Sequence, residues 1–154
     1  MKTEKALQII MGQCSRKEYC SSDIMEKLQK WELPEKEITK IMETLYRHQF
    51  IDDARYARSY AEDKFRFNHW GKQKIALMLH RKKIQPELID KALLLIEPST
   101  YQKECKILLA QKMTTLHESD PYKLKTKLFR YGAGRGYDFD TLHTCLSQLL
   151  SENE

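Results

Sequence analysis

Ile84-Gln85-Pro86-Glu87-Leu88-Ile89-Asp90-Lys91-Ala92-Leu93-Leu94-Leu95-Ile96 is the stretch on which the fold of this chain turns. Pro86 stands where a helix would begin, a position at which its missing N–H costs nothing. Ile84, Ile89 and Ile96 are spaced by five and then seven residues. Leu33, Ile38 and Leu45 show the same spacing upstream, with Pro34 opening the corresponding helix, and Tyr137, Leu142 and Leu149 show it downstream. Each triplet follows a pair of apolar residues four apart, Ile24/Leu28, Ile75/Leu79 and Leu124/Leu128. That spacing stacks the two side chains one turn apart on one helix face. The recurrence, near fifty residues throughout, is the mark of a repeat architecture.

A unit of this size has room for three helices of ordinary length. Strands favour branched residues, yet the 154 residues contain no valine, and Leu, Ile, Met, Lys, Glu and Gln dominate. The sequence therefore predicts an all-α fold of three tandem three-helix repeats, residues 1–50, 51–97 and 98–154. The expected helices are 3–14, 22–30 and 34–49 in the first, 53–68, 71–81 and 86–96 in the second, and 100–115, 121–131 and 139–150 in the third. Ser99 with Gln102 has the spacing of a capping box, and Asp120-Pro121 places a capping acid before a first-turn proline. Units this small are expected not to bury a full core singly. Stacking would cover the faces between them and give an elongated, curved array.

The formal net charge is +5, unevenly distributed. From residue 64 to 83 the chain carries Lys64, Arg66, Lys72, Lys74, Arg81, Lys82 and Lys83 with no carboxylate, and Phe65, Phe67, His69 and Trp70 interleave with these cations. Lys123, Lys125, Lys127, Arg130 and Arg135 form a second acid-free block. Such blocks suit an anionic partner, and the mixture of cations and rings suits phosphates and bases. Equally, Phe65 and Trp70 could pack between repeats and leave the cations solvated. Cys14, Cys20, Cys105 and Cys145 have neither CxxC nor zinc-ligand spacing. No apolar run is long enough to cross a bilayer and no secretory signal is evident. The reading is a cytoplasmic protein with reduced thiols, no cofactor and no metal.

The remaining motifs read as structure. Asp52 and Asp53 at a helix start are capping acids rather than a catalytic pair, with Arg55 or Arg58 within pairing reach. Gly132, Gly134 and Gly136 follow a helix instead of a strand, so they read as a flexible interhelix turn and not a nucleotide loop. His143 and Cys145, two apart, point in different directions on a helix and do not form a nucleophile–base pair. Trp31 reads as an anchor near a helix end and Cys145 as core. No nucleophile, base and orienting group stand at credible spacing, so no enzymatic activity is expected.

Phe50-Ile51-Asp52-Asp53-Ala54-Arg55-Tyr56-Ala57 resembles the signature of the RecX family, an acidic pair followed by a basic residue, an aromatic and alanine. Trp70-Gly71-Lys72-Gln73-Lys74-Ile75 resembles the family's glycine that starts the next helix, and Leu79 with Lys82-Lys83-Ile84 continues the pattern. Lys127-Leu128-Phe129-Arg130-Tyr131 and Arg135-Gly136-Tyr137-Asp138-Phe139 resemble the basic–aromatic–glycine element of the last repeat. The likeness runs from about residue 15 to 150. One departure is Lys83 where the family usually has glycine, which takes an easy left-handed cap from the preceding helix. The resemblance implies a regulator that binds the groove of a RecA–DNA filament and restrains its ATP hydrolysis, strand exchange and coprotease activity; separately, the chain is read as a monomer. Single- or double-stranded DNA would be a weaker contact. On that reading Lys64, Arg66, Lys72, Lys74, Arg81, Lys82, Lys83, Lys125, Arg130 and Arg135 are the candidate contact residues, and Asp52, Asp53, Arg55 and Gly71 the structural signature. The competing reading is a helical nucleic-acid-binding protein that acts without RecA.

Overall fold

The repeat is built on one local device. Glu32, Lys83 and Gly136 each adopt a positive φ (56°, 61° and 101°), the left-handed conformation that ends a helix. The next residue then returns its N–H to the carbonyl five positions back: Leu33 to Leu28 at 3.5 Å, Ile84 to Leu79 at 3.2 Å and Tyr137 to Gly132 at 3.1 Å. Each reversal drops the first member of an apolar triplet into the interior, and all nine triplet residues are buried.

The computed structural model describes residues 1–152; residues 153 and 154, the end of the expected third unit, lie outside that range. Among the described residues there are nine helices and no strand: α1 (Thr3–Arg16), α2 (Ser21–Lys30), α3 (Glu35–Arg47), α4 (Asp53–Arg66), α5 (Lys72–Arg81), α6 (Pro86–Leu94), α7 (Pro98–Thr115), α8 (Pro121–Gly134) and α9 (Phe139–Glu152). The all-α reading holds, with three corrections. The helix expected from residue 100 begins at Pro98 with Glu97 as its N-cap, and the Ser99 hydroxyl donates to the Glu97 carboxylate, so no capping box forms. The proline sets the start because its fixed φ suits the first helical position. Gly132 and Gly134, expected in a turn, lie inside α8. A Cβ on Gly132 would meet Leu142 Cδ2 at 2.2 Å, so this glycine lets α8 and α9 approach closely.

The third correction concerns the core. The first unit closes a core of its own around Ala6, Ile10, Ile24, Leu28, Ile41 and Leu45. The second and third units share a single continuous core that runs from Ala57 and Ile75 through Ile89, Tyr101 and Leu109 to Tyr137 and Leu146. Burial of each leucine or isoleucine among them stabilises the fold by about 1.5–3 kcal/mol. The accessible surface is 10056 Å², roughly a fifth above the ~8,200 Å² that size scaling gives a compact monomer of this mass. The molecule is an elongated array.

Candidate functional site

The cations of the second unit divide between the two ends of α5, a ten-residue helix about 15 Å long. At its N-terminal end, the Lys64 ammonium lies 5.0 Å from the centroid of Trp70 and 5.4 Å from that of Tyr60. The Lys74 ammonium lies 4.6 Å from Trp70, and that of Lys72 lies 4.9 Å from Tyr101. Arg135 arrives from the third unit and donates to the carbonyl of Asn68. The fold thus gathers Lys64, Lys72, Lys74 and Arg135 around the junction of units two and three. Trp70 and Phe65 pack against the shared core with the cations outside them. The packing reading of this segment is the one the fold realises, and the lysines stay beside the rings because one ring can bury an edge and hold an ammonium over a face.

Two glycines make that junction possible. Gly71 N–H donates to Arg135 O at 2.8 Å, and Gln73 N–H to Gly136 O at 3.0 Å. A Cβ on Gly71 would lie 2.3 Å from the Gly136 carbonyl carbon and oxygen, and one on Gly136 would lie 2.4 Å from Lys74 Cβ. The first turn of α5 has no side-chain cap of its own. Tyr101 of the third unit supplies one, its hydroxyl accepting from Lys72 N–H at 2.9 Å. Burial pushes the Tyr101 phenol well above its ordinary range, so it stays neutral.

At the other end of α5 the cations behave differently. Lys82 Nζ donates to Asp23 Oδ1 at 2.9 Å and its carbonyl accepts from Ser22 Oγ at 2.6 Å, which binds unit two to unit one. The bond to Asp23 raises the Lys82 ammonium above its usual value. Burial alone would raise the Asp23 carboxyl, but its bonds to Lys82 and Cys20 bring it out lower. Lys83 carries the positive φ described above, and Arg81 is exposed beside Met78. Arg66 pairs with Glu62 at 3.5 Å on the surface. Lys125 and Arg130 stand exposed on α8, away from both clusters in sequence.

The acidic pair is bifunctional. Asp52 caps its own helix, accepting from Arg55 N–H at 3.1 Å. Asp53 instead caps α2 of the preceding unit, accepting from Ser21 N–H at 2.7 Å and Ser21 Oγ at 2.6 Å. Among the described residues neither carboxylate forms the ion pair with Arg55 or Arg58 that the sequence left within reach. Arg55 turns to Glu18 at 2.6 Å and to the Gln49 carbonyl at 3.1 Å, because both Asp carboxylates are already engaged with helix N-termini.

A family model described as "RecX, second three-helix domain" matches residues 52–93, from the Asp52 cap into the last turn of α6. The regulatory protein RecX of Clostridium beijerinckii is 33% identical over 96% of this chain, which spans 68% of that protein. This chain belongs to the RecX family. The RecX of Clostridium acetobutylicum is also 33% identical, over 85% of the chain and 62% of its own length, so this chain spans roughly two thirds of such relatives. The crystal structure of RecX from Lactobacillus salivarius superposes with a TM-score of 0.89 over 96% of both chains; at 20% identity it bears on the fold alone.

Seen as a RecX-family regulatory protein, the chain departs from the expected glycine at residue 83, yet the left-handed cap still forms with lysine. The loss anticipated there is one of conformational ease, not of the cap. Among the described residues no cluster of His, Cys, Asp or Glu could hold a metal, and no helix is long and apolar enough to cross a membrane. All four cysteines are unpaired, with Cys20, Cys105 and Cys145 buried. Sequence reasoning missed Ser21, Ser22 and Asp23 as junction residues, and it missed a cationic group around Tyr19. The latter carried a legible signal: Tyr19 stands 51 residues before Trp70, the offset that also relates Ile24 to Ile75.

Proposed function

We propose that this chain docks along a RecA–DNA filament and restrains its ATP hydrolysis, strand exchange and coprotease activity. The observation that carries the proposal is RecX membership over nearly the whole chain. The elongated helical array supports it, being shaped to lie along another macromolecule. The cluster of Lys64, Lys72, Lys74 and Arg135 offers a cationic face for acidic residues of the filament or for phosphates of its bound strand. A modulator of this kind needs no catalytic group; it acts through unequal affinity for filament states. The units 1–50, 51–97 and 98–154 are the pieces that make the contact.

Purified protein, titrated into RecA on single-stranded DNA, should slow ATP hydrolysis at substoichiometric amounts. An unchanged rate in excess protein sinks the proposal. Charge reversal at Lys64, Lys72 and Lys74 together should weaken inhibition while helicity is retained. Lys82 is left out of that variant because its bond to Asp23 holds two units together. If inhibition persists, the contact lies elsewhere, with Arg66, Arg81, Lys83, Lys125 and Arg130 next in line.

A further inference from the structure

Tyr19 and Trp70 hold the same place in consecutive units. Each immediately precedes the N-cap of its unit's second helix, Cys20 for α2 and Gly71 for α5. The 51-residue offset between them also relates Leu28 to Leu79, Leu33 to Ile84 and Ile38 to Ile89. The third unit has Ser119 before its N-cap Asp120 and so lacks the ring.

The surroundings recur as well. Trp70 is flanked by the ammoniums of Lys64 and Lys74 at 5.0 and 4.6 Å. Tyr19 is flanked by those of Lys17 and Lys27 at 5.2 and 4.2 Å. These lysines are not themselves at equivalent positions, so the same arrangement is reached through different residues. Lys27 also donates to Gln13 Oε1 at 2.7 Å, which fixes its position. A hollow of about 260 Å³ opens beside Tyr19, walled by these two lysines together with Lys30 and Lys82. Its two carboxylates are engaged: Asp23 with Lys82 at 2.9 Å, and Glu26 with Lys30 at 3.5 Å. Lys17 and Lys27 have no carboxylate partner among the described residues.

We infer that Tyr19, Lys17 and Lys27 form a seat for phosphates of a nucleic-acid strand, the first-unit counterpart of the seat around Trp70. An ammonium held over a ring has already given up much of its side-chain freedom, so less is lost when an anion binds. The rings carry lysines on their faces, so they position charge instead of stacking bases, and the contact is to backbone and independent of sequence. Lysine serves phosphate as a point charge, so the seat needs no bidentate geometry. Two such seats one repeat apart match a polymer of regularly spaced charge better than a single acidic epitope.

The test uses the full chain without recombinase: fluorescence anisotropy of a labelled oligothymidylate across a salt series. Lys17→Ala/Lys27→Ala should weaken binding at low salt and reduce the slope of log K against log salt by about 1.4, two contacts at about 0.7 each for a single strand. Lys36→Ala/Lys40→Ala, on α3, removes equal charge and should leave the slope unchanged. Lys17→Arg/Lys27→Arg should keep it, and should Lys27→Ala disturb folding, Lys17→Ala alone should remove half the change. Matching slopes for the two double-alanine variants overturn the inference. So does equal displacement of the oligonucleotide by polyglutamate at the same charge concentration, which would make the seat a carboxylate site. Because RecA is absent, either failure leaves filament regulation to stand or fall on the ATPase titration.

Discussion

Lys83 shows how one side chain absorbs a cost that the neighbouring fold imposes. Its positive φ is forced by the reversal that delivers Ile84 to the core. A side chain in that conformation is disfavoured, and Lys83→Gly should raise stability by about 0.5–1 kcal/mol after the extra freedom of the unfolded glycine is discounted. A lower urea midpoint for K83G would show that the lysine contributes something more than the turn. Asp23 and Lys82 set a second prediction. The Asp23 carboxyl lies below its ordinary value near 3.8, so its contribution is present above that value and lost as pH falls through the folded value. The Lys82 ammonium lies above its ordinary 10.5, so its contribution is present below that pH and lost as pH rises further. The ion pair therefore contributes steadily between about pH 4 and 10. Lys82 is 42% exposed, so Asp23→Asn should cost only about 0.5–1 kcal/mol at neutral pH, and the difference from wild type should vanish in melts at strongly acid pH.

Helices in this protein borrow their caps across units. The second helix of the first unit, α2, takes its cap from Asp53, and α5 takes its cap from Tyr101 and the Gly136 carbonyl. By contrast α8 is capped from its own unit, with Asp120 accepting from Tyr122 N–H at 2.9 Å and Lys123 N–H at 3.4 Å. Asp53→Ala should cost about 1–2 kcal/mol, and amide exchange should place the new fraying in α2, another unit's helix, with little change at the start of α4. If exchange rises only in α4, Asp53 is an ordinary cap. Gly71→Ala tests the closer junction: its Cβ would meet backbone atoms at 2.3 to 2.5 Å, which cannot move as a flexible side chain would. A loss of about 3 kcal/mol or more is expected in urea unfolding, by overpacking against backbone. Gly12→Ala, mid-helix with its nearest neighbour the Arg16 guanidinium at 3.7 Å, should gain about 0.5–1 kcal/mol instead.

At the scale of the whole molecule, the two junctions differ in kind. Units two and three share a continuous core that takes in only Cys20 from unit one, while the rest of unit one packs a core of its own with Ile51 of unit two, and Asp53, Lys82 and the Arg55–Glu18 pair add polar ties across that junction. Polar ties are screened by salt far more than apolar contact is. Raised ionic strength should therefore speed amide exchange in α1–α3 relative to α4–α9, and uniform acceleration would show the array to be a single cooperative unit. Helix content, the three-fold recurrence and the buried triplets were all legible from residue spacing, since periodicity reports which face of a helix leaves water. Pro86 and Pro121 located two helix starts, whereas Pro34, read as a first helical residue, is the N-cap of α3; Asp52 and Asp120 were recognisable as caps because an N-cap acts within three residues of itself. Asp53 was misplaced for the opposite reason: its partner, Ser21, is distant in the chain. Lys82 looked like a free cation because its carboxylate lies in another unit, and Gly132 looked like a turn because what it accommodates, Leu142, lies on the next helix. Local free-energy preferences write themselves into adjacent residues. Which charges remain available to a partner depends on contacts between units, and only the packed chain decides those.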